Sequence, residues 1–112
     1  MSFYTVIKTE MVIKKYLVCA LEEMKKRGEI TSFIKNEKKE TIEVDRDGDI
    51  LNIVMEKSGN AQVAGDNRVV HRFSNRLKQF YAYESIKDNL PLDFEIAKET
   101  ETGGEIQILL KG

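Results

Sequence analysis

The stretch Ile13-Lys14-Lys15-Tyr16-Leu17-Val18-Cys19-Ala20-Leu21-Glu22-Glu23-Met24-Lys25-Lys26-Arg27-Gly28 decides the fold class. Ile13, Tyr16, Leu17, Ala20, Leu21 and Met24 recur at the i, i+3, i+4, i+7 spacing of a single apolar helical stripe. Lys14, Lys15, Glu22, Glu23 and Lys25 fall mainly on the opposite side. Lys25-Lys26-Arg27 suits the negative end of the helix dipole, Gly28 is placed to terminate the helix, and Thr9 is the expected N-cap. A helix with one apolar stripe needs a second layer to cover it, and the flanking sequence supplies strands.

On the N-terminal side, Phe3 to Lys8 is aromatic and β-branched and reads as a strand. Phe3, Thr5 and Ile7 share one face, Tyr4 and Val6 the other. With both faces partly apolar, an inner rather than an edge position is expected. After Gly28 the apolar period drops toward two. Ile30 to Lys35, Thr41 to Val44 and Ile50 to Glu56 are the predicted strands, and Asp45-Arg46-Asp47-Gly48-Asp49 is a hairpin turn in which Gly48 supplies positive φ. Ser58 to Arg68 reads either as a loop or, preferably, as a second short hairpin. Its strands would be Gln62-Val63-Ala64 and Val69-Val70, turning at Gly65-Asp66-Asn67.

From about Arg72 a second helix carries Phe73, Leu77, Phe80, Tyr83, Ile86 and Leu90 on a broad apolar face and stops at Pro91. Asp93 to Glu99 and Glu105 to Lys111 form a last strand pair around Gly103-Gly104. The element order β-α-β-β-β-(β)-α-β-β predicts an α+β two-layer sandwich, a mostly antiparallel sheet with both helices on one face.

The chain has 112 residues, enough for one domain, 1–112, with one core. Its 18 basic and 19 acidic side chains nearly cancel, to a net charge of -1. That balance argues against a nucleic-acid binder. The longest apolar run, Tyr16 to Leu21, falls far short of the ~20 residues of a membrane span. One cysteine cannot form an internal disulfide, and no secretory signal is read at the N-terminus, so a soluble cytoplasmic protein is expected.

Catalytic and metal constellations are sparse. From Glu43, the acidic turn matches part of a calcium loop, but the closing glutamate position holds Val54 and the flanks read as strands. A polar hairpin turn is the better reading. Cys19 and the single histidine, His71, are far apart in sequence and give no nucleophile–base pair. No catalytic residue, metal ligand or cofactor is assigned, and the expectation leans away from an enzyme.

The start of the second helix is more informative. Arg68, His71, Arg72 and Arg76 place positive charge at a terminus that is already positive, a situation that favours an anion or an acidic neighbour. Arg72, Arg76, Gln79 and Tyr83 share one helical stripe on which a phosphate or carboxylate could be held, with pairing to the chain's own acids as the alternative.

Three stretches together carry a resemblance. They are Met1-Ser2-Phe3 with Ile7-Lys8-Thr9, Gln79-Phe80-Tyr81-Ala82-Tyr83-Glu84-Ser85-Ile86, and Gly104-Glu105-Ile106-Gln107-Ile108-Leu109-Leu110. In order and spacing the chain resembles the conserved hypothetical reading-frame family of chloroplasts and cyanobacteria, with its bacterial relatives. It lacks that family's histidine before the opening phenylalanine, and it has Gly103-Gly104-Glu105 where the family has Asp-Gly-Ser. The resemblance implies no activity, but it singles out Gln79, Tyr81 and Tyr83. On an ideal helix Tyr81 and Tyr83 lie about 200° apart, so one should enter the core and the other reach a flank.

The resulting expectation is a small non-enzymatic protein-interaction or accessory module. Its partner would be an unidentified protein or a second copy joined at a sheet edge, and neither nucleic acid nor membrane is expected. The alternative is a binder of a small anion at the start of the second helix.

Overall fold

The apolar stripe of Tyr16, Leu17, Ala20, Leu21 and Met24 forms the buried side of α1 (Lys14–Lys26). The computed structural model describes residues 4–55, 59–89, 95–102 and 105–111, the last two stretches as backbone. Along the chain β1 (Tyr4–Lys8) precedes α1. It is followed by β2 (Ser32–Asn36), β3 (Thr41–Arg46), β4 (Asp49–Met55), β5 (Ala61–Asp66), α2 (Asn67–Asp88), β6 (Glu95–Thr102) and β7 (Glu105–Lys111). Met1-Ser2-Phe3, Pro91 and the Gly103-Gly104 turn lie outside the described residues.

Five strands form one antiparallel sheet in the order β1-β5-β4-β3-β2, and β6 and β7 pair antiparallel as a separate ribbon. The fold is the expected α+β arrangement. Ile42, Val44, Leu51, Ile53, Ala61 and Val63 project from one face of the sheet into a core shared with Leu17, Leu21 and Met24 of α1 and Val70, Phe73, Leu77 and Phe80 of α2. Among the described residues no helix is long and apolar enough to cross a membrane.

Four local expectations are corrected. β1 is an edge strand, not an inner one. Its two apolar faces do not come from two covering layers: Ile7 packs on the core, whereas Tyr4 and Val6 project from the opposite face and are 66% and 51% exposed. Thr9 is not the N-cap of α1. It is buried, and its hydroxyl donates to the Ala61 carbonyl at 2.6 Å, while Ile13 occupies the cap position without a capping side chain. Val69-Val70 is not a strand. The chain turns directly from β5 into α2 at Asp66, whose carboxylate accepts the Arg68 N–H at 2.8 Å. This N-cap starts the helix five residues before the expected Arg72. Gly65, finally, is not a turn residue. It lies within β5, where a Cβ would stand 3.0 Å from Leu51 Cδ2. The glycine permits close packing there.

Candidate functional site

The helix pair ends in a cleft beside the β3–β4 hairpin, and three local features build it. First, α1 terminates in a Schellman motif. Gly28 takes φ +79°, the Gly28 N–H donates to the Lys25 carbonyl at 3.1 Å, and the Glu29 N–H donates to the Met24 carbonyl at 2.9 Å. The chain therefore folds back on itself, and the Glu29 carboxylate meets α2.

Second, β3 and β4 are joined by Asp47 and Gly48 at φ 51° and 92°, the paired positive φ of a type I′ hairpin. Asp45 Oδ1 accepts the Gly48 N–H at 2.8 Å. The expected polar turn is thus borne out, and no group of three His, Cys, Asp or Glu able to hold a metal occurs among the described residues. The period-two register carries Arg46 onto the same side as Ile42 and Val44, toward the helices. Third, successive turns of α2 present Arg72 and Arg76 to the same space.

Met24, Arg27, Gly28, Glu29, Arg46, Asp47, Arg72, Phe73 and Arg76 line a cavity of about 560 Å³. Its arginines fall into two kinds. Arg76 is held: its Nε and Nη2 donate to the two carboxylate oxygens of Glu29 at 2.6 and 2.7 Å, and Nη1 donates to Gln79 Oε1 at 3.0 Å. Arg27 is also engaged, with Nε donating to Glu23 Oε1 at 3.0 Å. Both guanidinium groups lie over the buried Phe80 ring, at 5.0 Å for Arg27 and 4.9 Å for Arg76. The side chains of Arg46 and Arg72 make no ion pair or hydrogen bond among the described residues. Four guanidinium groups stand with three carboxylates, Glu29 and Asp47 in the lining and Glu23 paired with Arg27, so the cleft carries a small excess of positive charge.

Of the residues expected to bind an anion, the structure brings Arg72 and Arg76 to the cleft wall. Gln79 stands behind Arg76 and fixes its guanidinium. Tyr83 lies farther along α2, nearly buried, with the Lys87 ammonium 4.4 Å above its ring, and does not line the cleft. Arg68 is turned back onto Asp66, at 2.8 Å. His71 is exposed on the second turn of α2, and Cys19 lines a separate hollow with Lys15, Tyr16, Glu84, Lys87 and Asp88.

Sequence reasoning missed Arg27, Glu29 and Arg46. The available signal was Arg46, a charged residue at an inward-facing strand position two residues after Val44.

Tyr81 and Tyr83 are not divided between core and flank: Tyr83 is buried, and Tyr81 is partly buried and packs against the core cluster. The Tyr81 hydroxyl oxygen accepts the N–H groups of Val12 and Ile13 at 3.2 and 3.0 Å. It therefore holds the two amides that lead into α1. Its ring meets Tyr16 edge-on, with centroids 5.8 Å apart. The Tyr16 hydroxyl donates to Asp88 Oδ2 at 2.7 Å and accepts from Asn89 Nδ2 at 3.0 Å. The hydrogen bond to Asp88 holds the Tyr16 phenol above its usual pKa, and the same bond, aided by Lys15, holds the Asp88 carboxyl below its own.

The chain matches no family model, no curated protein and no solved structure.

Proposed function

We propose that the protein is a small non-enzymatic binding module whose cleft between α1, α2 and the β3–β4 hairpin takes the anionic group of a ligand, a phosphate or a carboxylate. The observation that carries this reading is the pair Arg46 and Arg72, which line the cavity without an acidic partner among the described residues. Arginine presents a planar fork suited to bidentate capture of either anion. Beside them Glu29 and Gln79 hold Arg76 in one orientation, which lowers the ordering cost of binding.

The test is a thermal-shift titration with inorganic phosphate, nucleotides and small dicarboxylates, each compared with chloride at matched ionic strength. A ligand that binds only the folded chain stabilises it by RT ln(1 + [L]/Kd) and so raises Tm. A specific rise that is lost in Arg46→Ala and in Arg72→Ala supports the proposal. The absence of any anion-specific rise, or one indifferent to both substitutions, sinks it.

Docking to a protein partner is the second reading. It is favoured by the apolar side chains on the side of the sheet that no described element covers and by the edges of β1 and β2, unpaired among the described residues.

A further inference from the structure

The lining of the cleft holds free charge of both signs. Two of its guanidinium groups are paired within the chain, Arg76 with Glu29 and Arg27 with Glu23. Three charged side chains of the lining are left over, Arg46, Arg72 and Asp47, and none of them makes an ion pair or hydrogen bond among the described residues. Opposite charges that share a wall gain energy by closing on each other. Here they do not close. Arg46 belongs to β3 and turns toward the helices, Asp47 sits in the two-residue turn at φ 51°, and Arg72 comes from α2 across the cleft. The neighbouring acids do not alter this set. Asp45 accepts the Gly48 N–H at 2.8 Å, and Asp49, opposite Arg46 in the register, lies outside the lining.

A plain anion in the cleft meets the repulsion of Asp47 as well as the attraction of the arginines. An ammonium group on the same ligand turns that repulsion into attraction.

We infer that the ligand of the cleft is a small zwitterion, an acid that also carries an ammonium group, with Arg46 and Arg72 taking the acid and Asp47 the ammonium. This rests on the anion-binding reading above and narrows its ligand class. The planar forks of the arginines match carboxylate or phosphate oxygens. An ammonium is a compact donor and needs only a carboxylate on a fixed backbone, which the tight hairpin supplies. The cavity of about 560 Å³ is of the size that takes a small molecule. The acid can come from two sources, the carboxylates of an acidic amino acid or the phosphate of a phosphorylated amine.

Matched pairs of ligands test this, because net charge alone predicts the opposite order. Glutarate carries one more net negative charge than L-glutamate, and ethyl phosphate one more than phosphoethanolamine. Within each pair the skeleton is the same and only the ammonium differs. A cleft that sensed net charge would prefer the plain acids. Dissociation constants are read from amide chemical-shift titrations of the full chain and of Asp47→Asn, all at one ionic strength. Asparagine suits the same positive-φ turn position, so the variant keeps the hairpin.

The expected result is that the amine-bearing member of at least one pair binds the unaltered chain about two- to fivefold more tightly, the scale of an exposed ion pair. That preference should vanish or reverse in Asp47→Asn, and the pair that shows it tells carboxylate from phosphate. If the plain acid binds as well or better in both pairs, or if the preference survives Asp47→Asn, the zwitterion is ruled out and the anion-binding reading stands without it. If no member of either pair binds, both fall together.

Discussion

The two ends of the α1–α2 pair are built from similar materials and reach opposite outcomes. Where α1 begins, Tyr16, Asp88 and Asn89 satisfy one another, and the Val12 and Ile13 N–H groups find the Tyr81 hydroxyl. Where α1 ends, Glu29 and Gln79 hold Arg76, but Arg46 and Arg72 stand at the wall of a 560 Å³ cavity without acidic partners among the described residues. The first end is closed polar chemistry that fixes the helices. The second keeps positive charge in reserve. A site that spends its polar groups on itself stabilises the fold, and one that leaves them over can recognise something else.

The largest effect on stability is expected where the two kinds of chemistry meet. Arg76→Ala removes a half-buried bidentate pair and leaves Glu29 without its partner at the rim of the core. The loss should be about 2 kcal/mol, read as a lower urea midpoint at unchanged slope. Arg76→Lys should recover only part of it, because an ammonium cannot make the fork geometry. Next is Tyr81→Phe. The ring keeps its edge contact with Tyr16, while the Val12 and Ile13 amides lose their acceptor. That should cost about 1 kcal/mol and speed hydrogen exchange at those two amides. An unchanged exchange rate would mean that Tyr81 does not hold those amides.

How far the sequence disclosed this contrast depends on the range of each interaction. The stripe of α1, its glycine stop and the Asp47-Gly48 turn are local, and each was readable from spacing and turn chemistry alone. The edge position of β1 was not. Apolar residues on both faces signal burial on both faces, and a single sequence does not show that one of them is left exposed. The start of α1 was misread for a related reason. Sequence rules look for a cap within a few residues of the helix start, and here the acceptor for the amides that lead into the helix arrives from Tyr81, 68 residues away from Ile13. In the cleft, Arg72 and Arg76 were visible as one helical stripe. Arg46 and Glu29 reach the same space through a strand register and a chain reversal, which are properties of the fold.

The closed end should respond to pH. Asp88 has a folded pKa below its unfolded value, so its contribution is complete above the unfolded carboxylate pKa of about 3.9 and is lost as pH falls through the lower folded value. Tyr16 is raised. Its contribution is complete below the unfolded phenol pKa of about 10 and is lost as pH climbs through the higher folded value. Tyr16→Phe removes the bond responsible for both shifts, so it should flatten the acid and alkaline limbs of the stability–pH curve. It should leave any anion-induced rise in Tm intact. A curve of unchanged shape would place the titration elsewhere.

The smallest expected change in stability carries the most information about function. The Arg72 side chain is exposed and makes no ion pair or hydrogen bond among the described residues, so Arg72→Ala should alter folding by less than about 0.5 kcal/mol. The like charges gathered in the cleft even allow a slight gain, because removing one guanidinium relieves repulsion from Arg46 and Arg76. The same substitution should sharply reduce the anion-dependent shift in Tm. An arginine that does little for the fold and much for a ligand separates a binding residue from a structural one, and Arg76, which does both, cannot make that separation. If Arg72→Ala instead destabilised the chain as strongly as Arg76→Ala, both ends of the helix pair would be structural, and the cleft would lose its claim to a ligand.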